Sequence, residues 1–449
     1  MIIAMKNLSR LLVLAAAVEM IALSAAARAD AETCENEEIF PIVQQHVHGS
    51  TIVELPNGDL LTAWFQGSGE RWADDVAIMG ARRKAGATAW SKPFVMADTP
   101  GFPDINPVLF LDSRNRLWLL WYTVIANQWD TSLLKYRLSE DYASQAQAPR
   151  WTWQEVLHVK PGDLAERGIQ PGDRFVKSIE RQIEEYAEYL QEAYASQPLQ
   201  ATAAVGLWKV HSSQLLSKAR GEDMVRKGIL RSSSGESASA DLGYPYFRRM
   251  GWQTKNKAVL IDGKRLIVPL YSDGFSFSLM AITDDDGATW QFSEPLVGAG
   301  NIQPSIARRG DGALVAYMRD NGPPPQRLHV STSTDAGLTW STVHDSDLPN
   351  PGSGADIVML GNGHWVLAYN DTEKGRHSLA VSLSTDDGKT WSHTRHLEHA
   401  ETAEGAPSAA YPSIIQTSDG SLHVVYSQHG NAGKTIKHAR FTEQWLMAR

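Results

Sequence analysis

One short turn recurs three times at nearly constant spacing, and it limits the possible folds more than any other feature of the chain. The copies are Thr283-Asp284-Asp285-Asp286-Gly287-Ala288-Thr289-Trp290, Ser333-Thr334-Asp335-Ala336-Gly337-Leu338-Thr339-Trp340 and Ser384-Thr385-Asp386-Asp387-Gly388-Lys389-Thr390-Trp391. Asp285, Asp335 and Asp386 stand 50 and 51 positions apart. A period of this size marks repeated supersecondary units rather than one continuous core. In each copy Asp can cap its own backbone, Gly supplies positive φ, and Trp can pin the turn onto a neighbouring sheet. Worn copies stand at Ala85–Trp90 and Ser139–Asp141.

A second pattern places a tight turn between two apolar runs. It occurs at Asn57-Gly58, Ser113-Arg114-Asn115, Asp262-Gly263, Asp311-Gly312, Asn362-Gly363 and Asp419-Gly420. Apolar runs joined by a Gly-containing turn predict hairpins. Six hairpins at a period of about 50 predict an all-β chain, a six-bladed β-propeller of four-stranded blades. Between Asn115 and Gly263 the spacing jumps to 148, leaving about 100 extra residues. Within them Phe175, Ile179, Ile183, Tyr186, Leu190 and Tyr194 recur at helical steps, which predicts an amphipathic helix. A second helix is expected over Ser212 to Lys227, then a loop at 232–237. The expected architecture is thus a propeller with an α-helical insertion at about 160–243.

Charge and composition narrow the partners. Lys plus Arg number 42 against 51 Asp plus Glu, a formal net of -9, and no basic run stands out, which argues against nucleic acid. The single Cys, Cys34, excludes a disulfide framework within the chain. At the N-terminus Lys6 and Arg10 precede an apolar run from Leu11 to Ala26, and Ala27-Arg28-Ala29 fits a small-residue cleavage site. Residues 1–29 are therefore expected to be a removed export signal, leaving residues 30–449 periplasmic or secreted. No other apolar run approaches a membrane span.

The repeated Asp turn resembles the Asp box of the sialidase superfamily, over roughly residues 40–160 and 245–441. Such enzymes hold a substrate carboxylate with three arginines, attack with a Tyr activated by a Glu, and use an Asp acid/base on a loop. Guanidinium groups suit a carboxylate because their donors form a fixed fork. By this resemblance Arg319 and Arg376 are the second and third arginines, Tyr411 is the nucleophile, and Asp74 and Asp75 belong to the acid/base loop. Two positions depart from the pattern. His48 stands where the first arginine is expected, and Asn301-Ile302-Gln303-Pro304 carries no carboxylate where the Glu is expected.

The residues themselves group into four polar clusters at strand ends. They are His46, His48, Gln66, Arg71, Trp72, Asp74 and Asp75; Arg319, Asp320 and Asn321; Asn370, Asp371, Arg376 and His377; and Tyr411 with His429. His46 and His48 alternate on one strand and so share a face, suiting an acid/base pair, a metal pair or simple backbone pairing. No third ligand is spaced for a metal site, and no cofactor is called for. Arg319 with Asp320 could equally be an inter-blade ion pair. The chain has 15 Trp; those in the turns are expected to pack, whereas Trp72 and Trp129 suit sugar stacking. Three functions follow, all with an acidic glycan or oligosaccharide as partner. The first is a sialidase-like glycoside hydrolase on a terminal acidic sugar, sialic acid or an analogue. The second is a polysaccharide lyase on a uronate glycan using His48 and Tyr411. The third is a glycan-binding propeller without catalysis.

Overall fold

Each of the six expected hairpins joins the first two strands of an antiparallel blade. The computed structural model describes residues 33–143, 147–163, 169, 171–220 and 250–448. Six sheets follow one another around a ring as blades 1 to 6, over residues 46–97, 104–156, 253–292, 301–349, 356–399 and 408–441. Blade 3 splits its innermost element into Gln253–Thr254 and Val259–Ile261, both paired with Arg265–Ser272. The strand Glu35–Glu38 pairs with Gly433–Phe441, so the N-terminal segment supplies the outer strand of blade 6. Glu37 ties that strand to blade 1, its Oε1 accepting from Arg83 Nη1 at 3.0 Å and Trp90 Nε1 at 3.0 Å. The expected export signal lies outside the described residues. Among the described residues no helix is long and apolar enough to cross a membrane.

The Asp turns join the third and fourth strands of blades 3, 4 and 5, and their internal bonding repeats. Asp285 accepts from Thr289 N at 2.8 Å and Thr289 Oγ1 at 2.6 Å. Asp335 does the same with Thr339 at 2.9 and 2.6 Å, and Asp386 with Thr390 at 2.9 and 2.7 Å. The Trp of each turn packs rather than facing a ligand. Trp391 meets Tyr317 of blade 4 edge-on at 5.8 Å, and Trp290 meets Trp118 of blade 2 at 6.3 Å. Glycine is obligatory at the apex. A Cβ on Gly388 would sit 2.4 Å from the Trp365 ring, at a φ of +78°.

Among the described residues the insertion carries two helices, α1 (Arg174–Ala193) and α2 (Pro198–Ala219). The apolar stripe of α1 buries Phe175, Ile179 and Tyr186 against the propeller. Gln182 stitches it there, donating to Pro295 O at 2.7 Å and accepting from Val297 N at 2.9 Å. Helix α2 starts 14 residues before the expected Ser212, at Pro198, which is favoured at a first helical position. Its first half is rich in Ala and Leu with no polar face, so it lacks the amphipathic period that would have shown it. The expected end at Lys227 and the 232–237 loop lie outside the described residues.

Gly388→Ala should lower stability by about 2–4 kcal/mol through clash and positive-φ strain. Gly206→Ala, in a helix with nothing within 4 Å of the added methyl, should not; urea titration of both compares them. Hydrogen bonds to the turn carboxylates hold Asp285 and Asp386 down to about 2. Their folded-state values lie below the unfolded value of about 3.9, so the stabilisation is present above that pH and lost as pH falls toward 2. The urea midpoint should therefore drop between about pH 4 and 2, with a shallower drop in Asp386→Asn.

Candidate active site

Four inner strands break register at the same point, between His48 and Thr51, Ile105 and Val108, Ile302 and Ser305, and Ala410 and Ser413. Each break holds one residue at positive φ: Gly49 at 66°, Asn106 at 46°, Gln303 at 55° and Tyr411 at 55°. Such β-bulges re-aim a side chain. Pro107, Pro304 and Pro412 follow the last three, and having no N–H they strand no ladder donor at the shift. The bulges turn Asn106, Gln303 and Tyr411 into an axial cavity of about 510 Å³.

A chain of amides and hydroxyls crosses this cavity. Asn106 Nδ2 donates to Tyr122 Oη at 3.1 Å and Tyr271 Oη at 3.4 Å. Gln303 Nε2 donates to Tyr271 Oη at 3.4 Å and Tyr411 Oη at 3.1 Å. Arg319 Nη1 donates to Tyr411 Oη at 2.8 Å. Gly49 completes the ring without a side chain because a Cβ there would lie 2.4 Å from Asn106 Oδ1.

Charged groups surround Tyr411. Arg319 is buried at the end of the second strand of blade 4. Burial opposes its charge, but Tyr411, Asp273 and Tyr271 outweigh that and raise its pKa. Arg376 lies with Cζ 5.5 Å from the Tyr411 ring centroid and donates to Gly352 O at 2.7 Å. Burial, with Arg319 nearby, lowers its pKa. His48 stacks on Tyr411 at 4.2 Å, and full burial depresses its pKa well below the usual histidine range. Behind the ring, the buried Lys255 places Nζ 5.4 Å from its centroid, with its pKa lowered to about 8 by burial. Two carboxyl groups line the cavity, Glu70 and Asp273. Burial raises both, only partly offset by Arg71 at Glu70 and by Arg319 at Asp273.

Of the residues singled out from the sequence, His48, Arg71, Arg319, Asn321, Arg376 and Tyr411 converge on this cavity, with Trp129. His46 and His429 share a side chamber with His48, Glu70 and Arg376, and burial lowers both imidazoles, His46 to about 4. Among the described residues no three His, Cys, Asp or Glu side chains form a group that could hold a metal ion.

The remaining residues lie elsewhere. Asp74 and Asp75 are exposed and do not line the cavity; Asp75 caps the turn instead, accepting from Ser68 N at 3.0 Å and Ser68 Oγ at 2.8 Å. The carboxyl that this loop does direct inward is Glu70. Trp72 is 58% exposed and covers Arg71 from outside, the guanidinium 3.6 Å from its ring and 4.8 Å from that of Trp129. Asn370 bridges Ser378 O and Ala409 O across the seam of blades 5 and 6, and Asp371 binds His396 Nε2 at 2.7 Å. Gln66 and His377 also lie off the axis. Asp320 forms no ion pair with Arg319; it accepts from Gly322 N at 2.7 Å and Arg327 N at 3.1 Å. Sequence reasoning missed Glu70, Asp273, Asn106, Tyr122, Tyr271 and Lys255. One signal could have found Asn106: Ile105-Asn-Pro, Ile302-Gln-Pro and Ala410-Tyr-Pro hold equivalent positions in three blades.

Comparison with known proteins agrees with this fold. Residues 58–168 and 215–424, more than half the chain, match the family described as BNR repeat-like domain. A sialidase of Micromonospora viridifaciens is 26% identical over 175 residues, covering 36% of this chain and 25% of that protein. The anhydrosialidase of Macrobdella decora is 28% identical over 134 residues, covering 28% of this chain and 16% of that protein. These matches span a quarter or less of the relatives' length. Among solved structures, Trypanosoma rangeli sialidase superposes with a TM-score of 0.59 at 11% identity, over 92% of this chain and 60% of that one. The intramolecular trans-sialidase of Ruminococcus gnavus superposes at 0.58 and 12%, over 90% and 96% of the two chains. A protein of unknown function from Dyadobacter fermentans superposes at 0.58 and 13%, over 90% and 97%. The chain is therefore a member of the BNR repeat-like domain family, a sialidase-superfamily propeller.

Proposed function

We propose that the axial cavity hydrolyses a glycoside whose terminal sugar carries a carboxylate, sialic acid or an analogue. The observation that carries this reading is the convergence of two buried guanidinium groups, Arg319 and Arg376, on Tyr411. The carboxyl groups beside the two arginines, Asp273 and Glu70, are pushed toward the neutral form, so an anionic sugar adds counter-charge, and a buried ion pair with forked geometry is worth more than one in water. With the carboxylate held there, Tyr411 Oη faces the anomeric carbon. As a neutral group it does not repel the anion. Glu70 takes the part given to Asp74 and Asp75 in the sequence reading. Burial keeps a larger share of its carboxyl protonated, which suits a proton donor to the leaving oxygen. His48 is neutral, so the grip on the carboxylate rests on two arginines. The proposed setting is outside the cytoplasm, periplasmic or secreted, on the strength of the leader at 1–29.

One observation favours the second reading. Gln303 sits 3.1 Å from Tyr411 Oη, where an activating Glu is expected, and an amide takes no proton. His48 Nδ1 is buried without a partner. In a uronate lyase the arginines would neutralise the carboxylate while His48 removes the proton beside it and Tyr411 protonates the leaving oxygen.

A panel of sialosides and uronate glycans, followed by mass spectrometry and ultraviolet absorbance, separates the readings. Hydrolysis adds water with no new absorbance; a lyase product absorbs as an unsaturated uronate. Tyr411→Phe should lower kcat at least about 100-fold, and Arg319→Ala should raise KM by roughly 10- to 100-fold. Glu70 acts protonated, so activity should fall as pH rises through its raised pKa, and Glu70→Gln should remove that limb. Binding of glycans with no product on the whole panel would leave only the glycan-binding reading.

A further inference from the structure

A second cavity, of about 330 Å³, opens between the helical insertion and the blade 4 loop that follows Asp320. Its walls are mainly apolar: Tyr186 and Leu190 of α1, Trp208 of α2 and Pro324 of the loop. The aromatic wall is fixed in place. Tyr186 and Trp208 pack with centroids 4.6 Å apart, and Trp208 Nε1 donates to Ile183 O at 2.9 Å. Tyr189 Oη accepts from Asp345 N at 3.0 Å, docking α1 on blade 4.

Three features say what such a chamber would take. First, Asn321 lines both cavities, and its Oδ1 accepts from Arg319 Nη2 at 3.3 Å, so the chamber adjoins the carboxylate grip. Second, the chamber is lined by Asp345 and, among the described residues, by no lysine or arginine that would hold an anion. His329 lies 3.3 Å from Asp320 and 3.1 Å from Asp345. Although burial opposes its charge, hydrogen bonds and charge from Asp320 and Asp345 raise its pKa to about 9. Third, the buried His211 Nε2 has no partner among the described residues, which leaves one polar contact for an oxygen on an otherwise apolar ligand. A cavity of this size and lining suits one small apolar group.

We infer that this chamber is an aglycone subsite, taking the uncharged aryl or alkyl group on the leaving side of the glycoside. The inference rests on the reading of the axial cavity as an acidic-glycoside site. The helical insertion then has a chemical role, since α1 and α2 supply the aromatic wall.

Octyl glucoside, below its micelle concentration, probes the chamber without any acidic sugar. Calorimetry on the full chain should show saturable binding, weakened at least about tenfold in Ala204→Trp, which fills the chamber, and in Trp208→Ala. If Trp208→Ala fails to fold, Ala204→Trp on the chamber rim carries the test alone. Binding lost in Ala204→Trp supports the chamber whether or not any acidic glycoside is turned over. No binding, or binding that Ala204→Trp leaves unchanged, overturns it. Turnover of acidic glycosides with equal KM for aryl and methyl leaving groups also overturns it, while leaving the axial reading intact.

Discussion

The bulge repeated in four inner strands is the constraint on which the rest of the site depends. A residue held at positive φ without being glycine costs on the order of 1–3 kcal/mol. Asn106, Gln303 and Tyr411 all sit there. Their side chains offset the strain by joining one another through Tyr271 and Tyr122, so the strain and the axial hydrogen-bond chain form a single arrangement. The blades need not converge on the axis with long side chains from straight strands. Each bulge rotates one residue inward, and the absence of a side chain at Gly49 leaves room for the Asn106 amide.

Inside this frame, burial acts on Arg319, Arg376, Glu70 and Asp273, and the neighbours decide how far. Arg319 keeps its charge because Tyr411 and Asp273 stand beside it, whereas Arg376 is weakened by burial and by Arg319 itself. Glu70 and Asp273 are pushed toward the neutral form. The imidazoles of His46, His48 and His429 are pushed toward neutrality as well. The cavity therefore pairs persistent positive charge near Tyr411 with carboxyl groups able to hold a proton. That combination suits an anionic ligand and proton transfer in the same space.

Most of the fold was legible because its signals are local. A Gly turn between apolar runs makes a hairpin wherever it stands, and Asp with Thr four residues on closes the same turn in three blades. Helix α1 showed through its stripe, while α2 did not, because its early residues carry no polar face. In the site, Arg319, Arg376, Tyr411 and His48 were singled out through the resemblance to the sialidase superfamily, matched blade by blade. Asp74 and Asp75 were misplaced because a loop's composition does not say which of its carboxyl groups points inward: Asp75 caps Ser68, and Glu70 faces the cavity.

The sequence by itself determined the number of blades, the turns that end their strands and the helical interruption, all of which follow from periodicity and from side chains acting on their own backbone. The two arginines and their tyrosine were expected from the resemblance to the sialidase superfamily. Only the tertiary structure decided that Gln303 meets Tyr411, that Glu70 and Asp273 share the arginines' cavity, and that α1 and α2 wall a second chamber beside it. Those contacts join residues from different elements, separated by up to 306 positions between Glu70 and Arg376, and a local pattern carries no information on which distant side chain will fill a shared space.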